Sequence, residues 1–161
     1  MKNKYIYGFW SILFSFVILL NACEKNELVL IEGVESWVIK EDCFNLPVSE
    51  LVIQDSSSLA EQLIAHRKNV NGCRAYMPPF VDFGQHTLLG LKTEVEACTV
   101  SFAKVVFADT KNNTYHYQVT ATSTKNSECD LAILVNMNWV VVPKLPDNFD
   151  VSFEVAYLTS P

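Results

Sequence analysis

Polar and apolar positions alternate with a period of two over much of the second half of the chain. In "TYHYQVTATS", Tyr115, Tyr117, Val119 and Ala121 interleave with His116, Gln118, Thr120 and Thr122. Successive side chains of a strand point to opposite faces, so this pattern predicts a strand with one buried and one wet face. The run "TVSFAKVVFA", Thr99 to Ala108, precedes it, and the polar stretch Asp109 to Asn113, "DTKNN", lies between. Two such runs around a polar turn predict a hairpin. Near the end, "NWVVVPKL" and "DVSFEVAYL" predict a second strand pair, with Pro143 and Pro146 at the connection, where a missing backbone donor does least harm. Leu28 to Lys40, Leu51 to Gln54 and His86 to Lys92 are further strand candidates.

One segment has helical rather than strand spacing. In "DSSSLAEQLIAHRKNVNG", Ser58 and Glu61 stand at the spacing of a capping box, Leu59, Leu63 and Val70 share a face, and Asn71 with Gly72 ends the run. The expected fold class is therefore α+β, mostly antiparallel β-sheet with one short amphipathic helix, residues 58–70, packed on it.

The first residues follow neither pattern. Lys2 and Lys4 precede an apolar run from Tyr5 to Leu20. As a helix rising ~1.5 Å per residue it would reach about 24 Å, short of the ~30 Å hydrocarbon core. A basic start and a short apolar run have the proportions of a signal peptide. Leu20, Asn21, Ala22 and Cys23 follow, and this sequence resembles the lipobox of bacterial lipoproteins, although Asn21 is not the commonest residue at its place. The resemblance implies cleavage after residue 22 and acylation of Cys23. One acyl chain anchors marginally, two or more hold stably. The expected organisation is a signal peptide over 1–22, a lipidated Cys23 with a short tether over 23–27, and a single globular β-rich domain over 28–161. The acidic residues directly after Cys23 resemble the tethers of surface-exposed lipoproteins of Bacteroidota, which implies a cell-envelope address at the outer membrane, facing the periplasm or the outside.

Charge narrows the partners. The chain carries a formal −6 at pH 7, which becomes −8 without residues 1–22, because two lysines leave and no acidic residue does. Nucleic-acid binding needs clustered Lys and Arg and is excluded. The expected partners are a membrane, through the lipid, and another exported protein. Besides Cys23 there are Cys43, Cys73, Cys98 and Cys129. An even count in an exported chain predicts two disulfides. Of three possible connectivities, Cys98 with Cys129 and Cys43 with Cys73 is expected, since 98 and 129 flank one antiparallel pair. Their wide spacing and the lack of nearby histidines exclude a zinc site, and no metal or other cofactor is expected.

A strand, the helix, "PPFVDFGQHTLLGL", a hairpin and "NWVVVPKLPDNFDVSFEV" together resemble the C-terminal domain of PrcB, a protease-complex subunit, and related small exported proteins of Bacteroidota. The similar pieces are Val81, Asp82 and Phe83 before a strand, and Trp139 to Lys144 before the last pair, within residues 48–157. The family's glycine-rich turn is replaced here by "LKTEVEACTV". The resemblance implies a non-catalytic module that binds or stabilises another exported protein.

The residues themselves carry no catalytic pattern. Asp82 and His86 would meet on a helix, but Pro78, Pro79 and the following strand predict extended chain, which holds them apart. His66 is expected to pack on the apolar side of the helix, and His116 to lie solvated on the polar face of the hairpin. Ser56, Ser57 and Ser58 lack a nucleophile-elbow setting. The chain is therefore expected not to be an enzyme. Trp37, Trp139, Tyr115, Tyr117, Phe102, Phe107, Phe153 and Tyr157 fall in strand-like segments, and most of them are expected in the core. Tyr76, Phe80, Asp82 and Phe83 belong to a proline-containing loop, the candidate binding loop. It would serve a protein partner or, alternatively, a small molecule or glycan.

Overall fold

The computed structural model describes residues 28–32, 34–124 and 132–160. The expected signal segment, Cys23 and Cys129 lie outside them. Eight strands and one α-helix are present among the described residues, and the fold is α+β dominated by antiparallel sheet. The strands are β1 (Leu28–Leu30), β2 (Glu35–Ser36), β3 (Glu50–Ile53), β4 (His86–Ala97), β5 (Thr99–Asp109), β6 (Thr114–Thr124), β7 (Ala132–Pro143) and β8 (Asp150–Ser160). The helix, α1, spans Ser56–Gln62.

They form three layers. An outer sheet has the order β1-β5-β6-β8 and a central sheet the order β2-β7-β4-β3. Between them lies a core of Leu89, Leu91, Val106, Tyr117, Val119, Val140 and Val142. On the other face of the central sheet, Leu51, Ile53, Leu88, Met137 and Trp139 pack under α1 and the loops around it, with Trp37, Phe44, Leu63 and Val81. β4 is thus covered on both faces, which is why "TLLGL" is a continuous buried run rather than an alternating one. Beyond Lys92 the cover ends and alternation returns, with Thr93, Val95 and Ala97 buried and Glu94 and Glu96 exposed. The strand therefore runs five residues further than "HTLLGLK" suggests.

The hairpin of β5 and β6 is antiparallel, with Val106 opposite Tyr117. Its turn is held by Asp109, whose carboxylate accepts hydrogen bonds from the backbone N–H groups of Lys111 and Asn112, both at 3.1 Å, and from the Asn112 side chain. Asn113 takes the left-handed conformation (φ 52°), which Asn tolerates better than most residues. These bonds hold the Asp109 carboxyl below the usual carboxylate range.

The last two strands do not pair with each other. β7 pairs antiparallel with β4 in the central sheet, whereas β8 crosses to the outer sheet and runs parallel to β6. The connection between Pro143 and Pro146 is pinned in passing: Lys144 N donates to Gln85 O, and Leu145 N to the buried Thr87 hydroxyl. The expected strand from Leu28 to Lys40 is likewise split. β1 joins β5 in the outer sheet and β2 joins β7 in the central one, so the chain changes sheet between them. Among the strand aromatics, most of them expected in the core, Tyr157 is 58% exposed toward the far end of β8. Of the other strand aromatics, Trp37, Trp139 and Tyr117 are buried, and Tyr115, Phe102, Phe107 and Phe153 half-buried.

The helix starts earlier and ends sooner than its sequence pattern predicts. Asp55 is the N-cap, accepting from Ser58 N at 2.7 Å and Ser58 Oγ at 3.0 Å, so Ser58 is a donor to the cap rather than the cap itself. These hydrogen bonds lower the Asp55 carboxyl below its ordinary value. After Leu63 the chain tightens into a 3-10 turn over Ile64–His66. It is then captured by a distant partner: Asn45 N donates to His66 O and Lys68 N to Cys43 O. A backbone committed to a bridge with residues 43–45 cannot continue as helix to residue 70, and Val70 is left exposed.

Candidate functional site

The segment between this bridge and β4 is an irregular loop held at several points. Cys43 and Cys73 are joined by a disulfide that spans 30 residues of sequence. Cys98 is also disulfide-bonded, to a partner that is not among the described residues. Gly72, at φ +86°, permits the tight turn just before Cys73. Arg67 reaches across the loop, its guanidinium donating to Arg74 O at 3.1 Å and lying 3.6 Å from the Met77 sulfur.

The four residues of the candidate binding loop have different fates. Tyr76 turns inward: its ring packs edge-on against Phe44 with centroids 6.1 Å apart, Lys40 Nζ lies 5.4 Å from its centroid, and its hydroxyl accepts from Lys40 N. Phe83 is half-buried against the loop-side core. Asp82 accepts from Gly84 N through its carboxylate and from Gln85 N and His86 N through its carbonyl. Phe80 alone projects, 90% exposed, with Met77 at 69% nearby in sequence and Val81 buried directly after it.

Asp82 and His86 are closer than extended chain would allow, because residues 82–86 form a turn. They are nevertheless not a carboxylate–imidazole pair. His86 Nδ1 lies 3.2 Å from the Asp82 carbonyl oxygen, while the carboxylate faces the Gly84 amide. His116 is not simply solvated; its Nδ1 is 2.6 Å from the hydroxyl of Ser152 on β8. His66 is half-buried in the 3-10 turn.

A second feature was not legible in the sequence. Where the loop layer ends, the outward face of the central sheet and the covering segment enclose a cleft of about 260 Å³. Trp139, Met137, Phe44 and Leu46 are among the apolar residues lining it, and Asp42, Lys68 and Lys92 supply its charge. Its floor depends on a glycine. Gly90 lies opposite Trp139 in the ladder, and a Cβ there would sit 2.6 Å from the indole Cζ3, so only glycine lets that ring lie down on the sheet. Trp37 meets Trp139 edge-on at 5.6 Å. The buried indole N–H groups of both find no hydrogen-bond acceptor among the described residues. Lys92 is paired with Glu94 at 3.1 Å, whereas Lys68 has no ion pair among the described residues.

Among the described residues no cluster of His, Cys, Asp and Glu could hold a metal ion, and no helix is long and apolar enough to cross a membrane. Comparison with family models, curated proteins and solved structures finds no match to this chain.

Proposed function

We propose that this chain is a lipoprotein anchored in the cell envelope through Cys23, and that its domain acts without catalysis, by binding or stabilising another exported protein. The observation that carries the binding reading is Phe80. A large aromatic side chain held 90% in solvent, on a loop fixed by a disulfide, a buried Val81 and an inward-packed Tyr76, has the character of an interface anchor. Such residues cluster where water is fully displaced on binding, and a rigid loop loses little entropy in presenting them. The resemblance to the PrcB C-terminal domain, and the lipobox-like sequence before Cys23, support the same reading.

A photo-crosslinking residue at position 80 of the full chain, expressed in cells, tests it. The expected product is a covalent adduct with one exported protein, recovered from the membrane fraction. Phe80→Ser should abolish the non-covalent association without unfolding the domain, and Cys23→Ala should release the chain from the membrane. No adduct at position 80, together with unchanged association of Phe80→Ser, would sink the binding reading. Hydrolytic turnover that disappears with Asp82→Ala or His86→Ala would overturn the non-catalytic one. The alternative of a small-molecule binder is better served by the cleft than by the loop, because Tyr76 is already packed against Phe44.

A further inference from the structure

We propose that the cleft beside Trp139 binds a small amphipathic monoanion, an aromatic or short acyl carboxylate, independently of any protein partner at Phe80. Three properties define that class. The volume of about 260 Å³ lies just under the usual ~300–1,000 Å³ of small-molecule sites, which restricts the ligand to a small one. The exposed lining is almost evenly polar and apolar, with Trp139, Met137 and Phe44 nearly buried and presenting only their edges, so a ligand that matches it is amphipathic. Of the two lysines around it Lys92 is paired with Glu94, so the cation offered to an anion is Lys68, which has no ion pair among the described residues, with Asp42 of the opposite sign. A cation beside a low-dielectric wall attracts an anion more strongly than the same cation in open water.

The site is also built rather than incidental. Gly90 keeps the Trp139 ring flat on the sheet, and Trp37 braces it edge-on, so the floor is rigid before a ligand arrives. The buried indole N–H of this floor residue finds no acceptor among the described residues, an arrangement folded proteins mostly avoid.

The test uses the full chain in phosphatidylcholine nanodiscs, titrated with 3-phenylpropionate and with 3-phenylpropionamide, which has the same shape and no charge. Isothermal titration calorimetry should show saturable binding of the acid, with the amide about fivefold weaker, the scale of one exposed charge pair. Lys68→Ala should remove most of that difference while leaving the amide unchanged. Val135→Arg, at a half-exposed lining position, should block both ligands. Absence of saturable binding by the acid would overturn the proposal. So would undiminished binding to Val135→Arg, which would place the ligand elsewhere, or a charge preference that survives Lys68→Ala combined with Lys92→Ala.

Discussion

The central sheet has two apolar faces, closed by unlike means. Toward the outer sheet, strands meet strands, and the polar groups caught between them are satisfied. Asn138, fully buried, donates to Leu91 O and the Thr93 hydroxyl, and the Tyr117 hydroxyl donates to Asn138 O, with burial pushing that phenol well above its ordinary pKa. Toward the helix and loops, seven residues of α1 and a series of turns do the covering. That cover is stapled by a disulfide, stops short of the full sheet, and leaves two indole donors without acceptors among the described residues. The contrast shows where a β-rich domain can vary. Regular ladders satisfy their own hydrogen bonds and close completely, whereas a loop layer can be left open, and the exposed Phe80 and the cleft both lie on that side.

The loop-side core is broken most severely at Trp139, the more deeply buried of its two tryptophans. Trp139→Ala should destabilise the domain by about 4 kcal/mol in urea denaturation, the usual scale for emptying a buried aromatic site. A loss below about 1 kcal/mol would mean that this side is not a true core. Next comes the staple. Cys43→Ser with Cys73→Ser reopens a 30-residue loop and should lose roughly 3.6 kcal/mol by the chain-entropy relation. Hydrogen exchange should then rise in α1 and residues 41–76 while β5 and β6 stay protected. A uniform rise across both sheets would show that the two cores do not behave separately.

A smaller effect tests the satisfied side. Tyr117→Phe removes a single buried hydrogen bond and should cost on the order of 1 kcal/mol, with little cavity. The smallest is an acid effect. Asp55 and Asp109 both have folded pKa values below the unfolded value of about 3.9, so the stability they add is complete above that value and is lost as pH falls through the folded ones. Asp55→Asn should flatten the acid limb of the stability curve slightly, and an unchanged limb would remove Asp55 from the account.

The hairpin of β5 and β6 was legible because everything that specifies it is local: alternation, a polar turn and an Asp that caps it. The strand character of β4 and β7 was legible for the same reason. The destination of β8 was not, because a parallel neighbour is chosen by the sheet already present and leaves no turn signature. The end of the helix was misjudged because residues 43–45, more than twenty positions upstream, claim the backbone of residues 66–68. In the candidate loop, the rigid turn and one exposed aromatic could be read. That Tyr76 and Phe83 would turn inward depended on Phe44, Lys40 and the central sheet. The cleft draws its lining from four separate stretches of chain, so no single stretch carries its pattern.

The parallel register of β6 and β8 also orders events in time. Thr114 pairs with Asp150, and β7, which lies between them in sequence, must leave for the other sheet before that pairing can form. Contacts across such separations form late, after local hairpins. A chain folding from its N-terminus therefore presents β6 as an unguarded edge until β8 arrives, and a nascent chain stalled before Asp150 is the species most exposed to mispairing.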